Sequence, residues 1–188
     1  MHAWHDLSPG PGVPRVVDVF VEIPRGGRVK YEIDKESGLL RASRVLYGAI
    51  HYPANYGFIP KTLDDDGDAL DVLVLSQEDV APGALVSARV IGVMPMVDQG
   101  EVDDKIIAVM IGDPMFDGVR SLDDLAPFRM NEIMRFFGDY KALEEKDVRI
   151  AAPHGLDEAV KVVEKSLAQY DKKYGPASKP GARGSPKV

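Results

Sequence analysis

The chain has no cysteine. Disulfides, thiolate zinc sites and cysteine nucleophiles are therefore excluded. Apolar runs of membrane-spanning length are also missing. The start lacks the basic residues and continuous apolar stretch of a signal peptide. Excess positive charge is absent too: 23 Lys and Arg stand against 30 Asp and Glu, for a net charge of −7. A nucleic-acid binder usually presents a basic face, so this balance argues against one while leaving room for a basic pocket around a small anion. The expectation is a cytoplasmic protein with no membrane and no nucleic-acid partner.

What is present suits one globular domain. The chain has 188 residues, 45% of them apolar and 28% charged, which is enough for a real core. Residues 1–14 hold Pro9, Gly10, Pro11 and Gly12 and read as an extended N-terminal arm. Residues 15–175 read as a single domain. Residues 176–188 are polar, basic and rich in Pro and Gly, and read as a disordered tail.

Val16–Ile23 is rich in β-branched residues, and 28–34 alternates charged and apolar side chains; both read as strands. Further strands are expected at 39–46, 71–76, 85–93, 105–111 and 147–152. The period then changes. Ala126, Met130, Ile133, Phe137 and Tyr140 mark one helix face. Leu156, Val160, Val163, Leu167 and Tyr170 mark another, which Gly175 ends. Short strands followed by helices predict an α+β fold around a small barrel.

The densest chemistry lies at Asp64–Val72, which reads DDDGDALDV. Asp66, Asp68 and Asp71 crowd around Gly67, and a second acidic loop runs from Asp98 to Lys105. Two like charges about 4 Å apart repel by roughly 4 kcal/mol at an effective dielectric near 20. Converging carboxylates therefore call for protonation, dispersal or a cation, and hard oxygen ligands suit Mg²⁺, Ca²⁺ or Mn²⁺. An EF-hand calcium loop with Gly67 at its glycine position would begin at Thr62 and end at Leu73, where carboxylates are required, so that reading fails. A solvated acidic turn remains the alternative for this motif taken alone.

Other residues suit phosphate. Lys30 and Glu32 share one strand face, either as a surface ion pair or as a phosphate ligand beside a metal ligand. Arg44 offers a guanidinium that can hold two phosphate oxygens. The run His51–Pro60 reads as a packed, irregular loop whose Tyr56 is a phosphate donor or a core filler. Tyr140 belongs to an apolar stripe but can turn its hydroxyl to a polar pocket, and Lys141 follows it.

Val21-Glu22-Ile23-Pro24, Lys30-Tyr31-Glu32, His51–Gly57, Asp66–Val72, Asp98–Lys105 and Phe136–Lys141 together resemble, in order, the soluble inorganic pyrophosphatases of the Mg²⁺-dependent first family. The likeness covers about residues 4–174. It implies a five-stranded OB-like β-barrel flanked by helices. It also implies hydrolysis of pyrophosphate to two orthophosphates by a metal-activated water, with several Mg²⁺ ions per site. By that resemblance Glu22, Glu32, Asp66, Asp71, Asp98 and Asp103 serve the metals. Asp68 is the general base, with Asp103 a second proton acceptor. Lys30, Arg44, Tyr56, Tyr140 and Lys141 bind phosphate, and Tyr52 and Lys105 support them. Compact members commonly form hexamers, so a homo-oligomer is implied. Ala69 and the stretch 151–155 depart from the family pattern, where Pro or Glu and a Gly-Trp pair are usual. The rival readings are a non-catalytic OB-like binding module and another Mg²⁺-dependent phosphohydrolase.

Overall fold

The computed structural model describes residues 1–175, so the tail expected at 176–188 lies outside the described residues. Val16–Ile23 is strand β1, and its alternate side chains Val17, Val19 and Val21 are fully buried. Val29–Ile33 (β2) and Leu40–Val45 (β3) form a separate antiparallel pair. Asn55–Phe58 is β4, Asp71–Leu75 is β5 and Leu85–Met94 is β6. A small hairpin follows, Met96–Asp98 (β7) and Glu101–Val102 (β8), and then Lys105–Met110 (β9). Short strands Val148–Ile150 (β10) and His154–Gly155 (β11) come late.

The order β1-β4-β5-β9-β6 closes back on β1 through a β1–β6 pairing, giving a five-stranded barrel. Four of its contacts are antiparallel, and β5–β9 is parallel. Irregularities at Val21/Ile23 and Val90/Gly92 bend the strands where the barrel must curl. Closure brings β1 hard against β4. A Cβ on Gly57 would stand 2.0 Å from the Phe20 carbonyl oxygen, so only glycine fits there.

Both faces of the barrel wall are covered. Leu73 and Leu75 of β5 join the core beneath helix α2, Pro127–Asp139, with Ile133, Phe136 and Phe137. Val72 and Val74 join the core beneath helix α3, Leu156–Tyr174, with Ala159 and Val163. Strand β5 therefore reads as a near-continuous apolar run. A third cluster of Trp4, Phe58, Leu63 and Tyr170 closes one end.

The helix faces differ slightly from expectation. Ala126 lies outside α2 and is exposed, and Phe136 takes its place in the buried stripe. On α3 the buried side is Ala159, Val163, Ser166 and Tyr170; small residues let the helix sit close to the sheet. Gly175 caps α3, its N–H donating to the Asp171 carbonyl. Two larger differences concern supposed coil. The arm is not extended throughout, because Ala3–Asp6 forms a helical turn, α1, that buries Trp4. The run expected to be an irregular loop contains β4, a barrel strand buried along its whole length. Its aromatics are core residues, and its glycine is demanded by a neighbouring strand rather than by a turn.

Candidate active site

A cleft of about 380 Å³ opens where β1, β2, β5, the hairpin β7–β8 and the end of α2 meet. The turn 64–68 feeds Asp66 and Asp68 into it. Asp64 N–H is donated within the turn to the Asp68 carbonyl at 2.7 Å, and Gly67 at φ 87 allows the reversal. Strand β5 begins at Asp71, directly opposite Lys105 in the parallel ladder. Strand β2 supplies Lys30 and Glu32, and β1 supplies Glu22. Hairpin β7–β8 supplies Asp98 and leads to Asp103, while the end of α2 delivers Tyr140 and Lys141.

Five of the seven carboxylates that line the cleft hold a lysine, Glu22 and Asp66 being the exceptions. Lys105, 1% exposed, bridges Asp71 at 2.5 Å and Asp103. Lys141 pairs with Asp98, whose Oδ2 also accepts from the Tyr140 hydroxyl at 3.3 Å. Lys30 pairs with Glu32 at 2.5 Å, and Lys35 pairs with Asp68. Tyr56 donates its hydroxyl to Asp71. Glu22 has no cation; its Oε1 accepts from the Ile33 N–H at 2.8 Å.

The strain of collecting this much negative charge is visible in proton affinities. Burial, with the Asp71 charge adding to it, pushes Glu22 up to about 8. Burial and the charges of Asp103, Asp71 and Asp68 push Asp66 up to about 6, against an opposing hydrogen bond from the Asp68 backbone. Asp103 is raised by burial and by Asp71, with Lys105 opposing. On the other side, burial raises Glu32 and Asp98, but the lysine beside each outweighs it and leaves both below the usual range. Lys141 is lowered by burial, with Lys30 and Arg44 repelling it, although Asp98 opposes the shift.

Most residues expected from the sequence gather here: Glu22, Lys30, Glu32, Tyr56, Asp66, Asp68, Asp71, Asp98, Asp103, Tyr140 and Lys141 all line the cleft. Three stand behind it. Lys105 lies underneath, as counterion to two lining carboxylates. Tyr52 is buried between Tyr56 and Phe136, with ring centroids 5.3 and 4.8 Å away. Arg44 faces Glu144, its Nε 2.8 Å from Oε1, although its charge still reaches Glu32 and Lys141. Trp4 and Lys35 line the cleft and were not foreseen. Trp4 sits in a Pro/Gly-rich arm and Lys35 just past a strand end, where no periodicity points inward.

The donor set fits a hard divalent cation. The Asp71 charge raises the proton affinity of Glu22, Asp66 and Asp103, a repulsion that a bound cation would relieve. The Oδ1 of Asp98 is buried with no hydrogen-bond partner. Among the described residues no three carboxylates or imidazoles stand as a closed metal cluster; Glu32, Asp68, Asp71, Asp98 and Asp103 turn toward lysines.

Comparison with known proteins adds the following. The inorganic pyrophosphatase family profile matches residues 19–171. A soluble inorganic pyrophosphatase of Oryza sativa subsp. indica is 52% identical over 169 residues, covering 90% of this chain and 79% of the relative. Soluble inorganic pyrophosphatase 2 of Chlamydomonas reinhardtii is 53% identical over 175 residues, covering 93% and 91%. The crystal structure of inorganic pyrophosphatase from Thermus thermophilus superposes with a TM-score of 0.86 at 38% identity, over 90% of this chain and 99% of that one. The inorganic pyrophosphatase of Helicobacter pylori superposes with a TM-score of 0.84 at 42% identity, over 88% and 98%.

Proposed function

Because the chain belongs to the inorganic pyrophosphatase family, and so hydrolyses pyrophosphate to two orthophosphates, we propose that the cleft around Asp71 and Asp103 is where it does so, with Mg²⁺ as the working ion. The observation that carries this assignment is the pairing of carboxylates with lysines in one cleft. A cation can take the acids and a phosphate can take the bases, and few other ligands use both.

Glu22, Glu32, Asp66, Asp71, Asp98 and Asp103 would hold the cations. Once bound, these neutralise phosphate oxygens and lower the pKa of water in the cleft from about 16 towards about 7. Asp68, with its side chain 55% exposed, is the proton acceptor for the attacking water. Asp103 is a second acceptor position, already raised by burial. Lys30, Tyr56, Tyr140 and Lys141 hold the phosphates, and Arg44 adds its charge from behind them. Tyr52 braces Tyr56, and Lys105 keeps Asp71 and Asp103 apart from one another's charge. Positioning and electrostatics carry most of phosphoryl transfer, so no covalent intermediate is needed.

The protein works in the cytoplasm as a homo-oligomer, a hexamer by family analogy, with no membrane or nucleic-acid partner; no helix among the described residues is long and apolar enough to cross a membrane. Phosphate release from pyrophosphate, triphosphate and ATP in Mg²⁺ buffer tests the assignment. Rapid release from pyrophosphate alone, abolished by chelator, is expected. Equal turnover of ATP, or undiminished turnover without metal, would overturn it.

A further inference from the structure

Trp4 is the only tryptophan of the chain. It is 2% exposed and forms part of the cleft wall near Asp66 and Asp68. Its indole N–H donates to the Thr62 carbonyl at 2.7 Å. Its own carbonyl accepts from the Lys61 N–H at 2.9 Å. Lys61 sits at φ 54, a left-handed conformation that a side chain disfavours and that its surroundings must enforce. Thr62 then ties the loop together. Its hydroxyl donates to the Ile59 carbonyl at 2.6 Å and accepts from the Leu70 N–H at 2.9 Å. The acidic turn 64–68 therefore hangs from a base that Trp4 pins.

The opposite side of the loop is held by α3. Leu63 N–H donates to the Ser166 carbonyl at 2.9 Å, and Asp65 accepts from Lys165 and Gln169, each at 2.7 Å. At the tip, the Lys35 ammonium pairs with the Asp68 carboxylate. It also reaches the Gly67 carbonyl at 3.5 Å and lies 6.0 Å from the Trp4 ring centroid. The Lys35 carbonyl accepts from His2 Nε2 at 3.2 Å. The N-terminal turn thus touches both the base of the acidic loop and the segment that carries Lys35.

We propose that Trp4 and Lys35 are positioning residues for Asp68: Trp4 sets the height of the acidic loop in the cleft, and Lys35 sets the direction of the Asp68 carboxylate. This rests on the reading of Asp68 as proton acceptor. A half-exposed carboxylate at the tip of a turn has rotamers to choose from, and only those within hydrogen-bond reach of the reacting water are useful. A displacement of about 1 Å costs up to about a hundredfold in rate.

The test uses the full chain and four variants. Lys35→Met is expected to lower kcat by about tenfold or more, with KM changed less than about threefold. Lys35→Arg, which keeps the charge, should recover most of that loss. Trp4→Phe keeps the packing but removes the N–H, and should lower kcat in the same way. In an Asp68→Asn background, Lys35→Met should cost nothing further, because a residue that acts through another has no target left. Fluorescence gives a readout apart from activity: Trp4 emission in the metal-free protein should shift when the Lys35 ammonium is removed. An equal cost of Lys35→Met in both backgrounds, a loss seen only in KM, or a kcat loss matched by a lower unfolding midpoint would each overturn the proposal. Unchanged Trp4 emission would overturn the contact on which it stands. Full activity in Asp68→Asn alone would instead remove the reading of Asp68 beneath it.

Discussion

Burial gives Glu22 a far higher proton affinity than an exposed glutamate has, and substituting Gln for it measures the consequence. Its side chain is buried at the end of β1, and burial with the Asp71 charge pushes it from an ordinary 4.5 up to about 8. Between those values the folded chain keeps a proton that the unfolded chain has lost. Stability therefore falls as pH rises through this window. Each pKa unit is about 1.4 kcal/mol, so the metal-free protein should lose about 3 to 4 kcal/mol between pH 5 and pH 8 through this residue alone. Glu22→Gln copies the protonated form and keeps the Ile33 hydrogen bond, so that part of the slope should vanish. Asp66 also titrates upward in the folded state, but it does so in both proteins and cancels. Urea unfolding in chelator at several pH values reads the difference directly. Curves for the two proteins that stay parallel within about 1 kcal/mol would refute the reasoning. Adding Mg²⁺ should flatten the native curve, since a cation replaces the proton.

Asp68→Asn should keep cation binding and lose about a hundredfold or more in kcat; calorimetry with Mg²⁺ and steady-state assays separate the two. Lys105→Met leaves Asp71 and Asp103 facing each other without their shared counterion. Its metal-free stability should drop by about 3–5 kcal/mol in urea and recover when a divalent ion is added. Gly57→Ala drives a methyl group against the Phe20 carbonyl, and the loss of about 3 kcal/mol or more should show in denaturant melts. An alanine variant of native stability would mean that β1 and β4 part at no cost.

Where a side chain's role is written in periodicity, the chain declared it. Strand β1 matches its expected span, and β5, β6 and β9 fall within a residue of theirs. Ile133 and Phe137 face the core as their spacing required. Strand β4 was hidden because its meaning is tertiary: Gly57 looks like a turn residue until β1 is laid against it. The barrel closes through the β1–β6 pairing and contains the parallel β5–β9 pair, and no local signal encodes either. Within the cleft, the carboxylates were legible as a repulsion problem, and the family likeness named their order. Arg44 was a candidate by residue type and a phosphate ligand by the family likeness, and here its guanidinium faces Glu144 from behind the cleft. Lys35 and Trp4 escaped notice because each reaches the cleft from an irregular segment.

Lys30 and Lys141 are each paired with an acid of the cleft: Glu32 holds one and Asp98 the other. An ammonium so held is masked from phosphate, just as its carboxylate is masked from a cation. A divalent ion that claims the acid releases the base, and a phosphate that claims the base releases the acid. Each ligand thereby removes the other's competitor. By thermodynamic reciprocity the two must strengthen one another's binding by the same factor. On the proposed assignment the cleft would be tuned to the metal–pyrophosphate pair, its lysines acting as place-holders that either partner alone dislodges only against resistance.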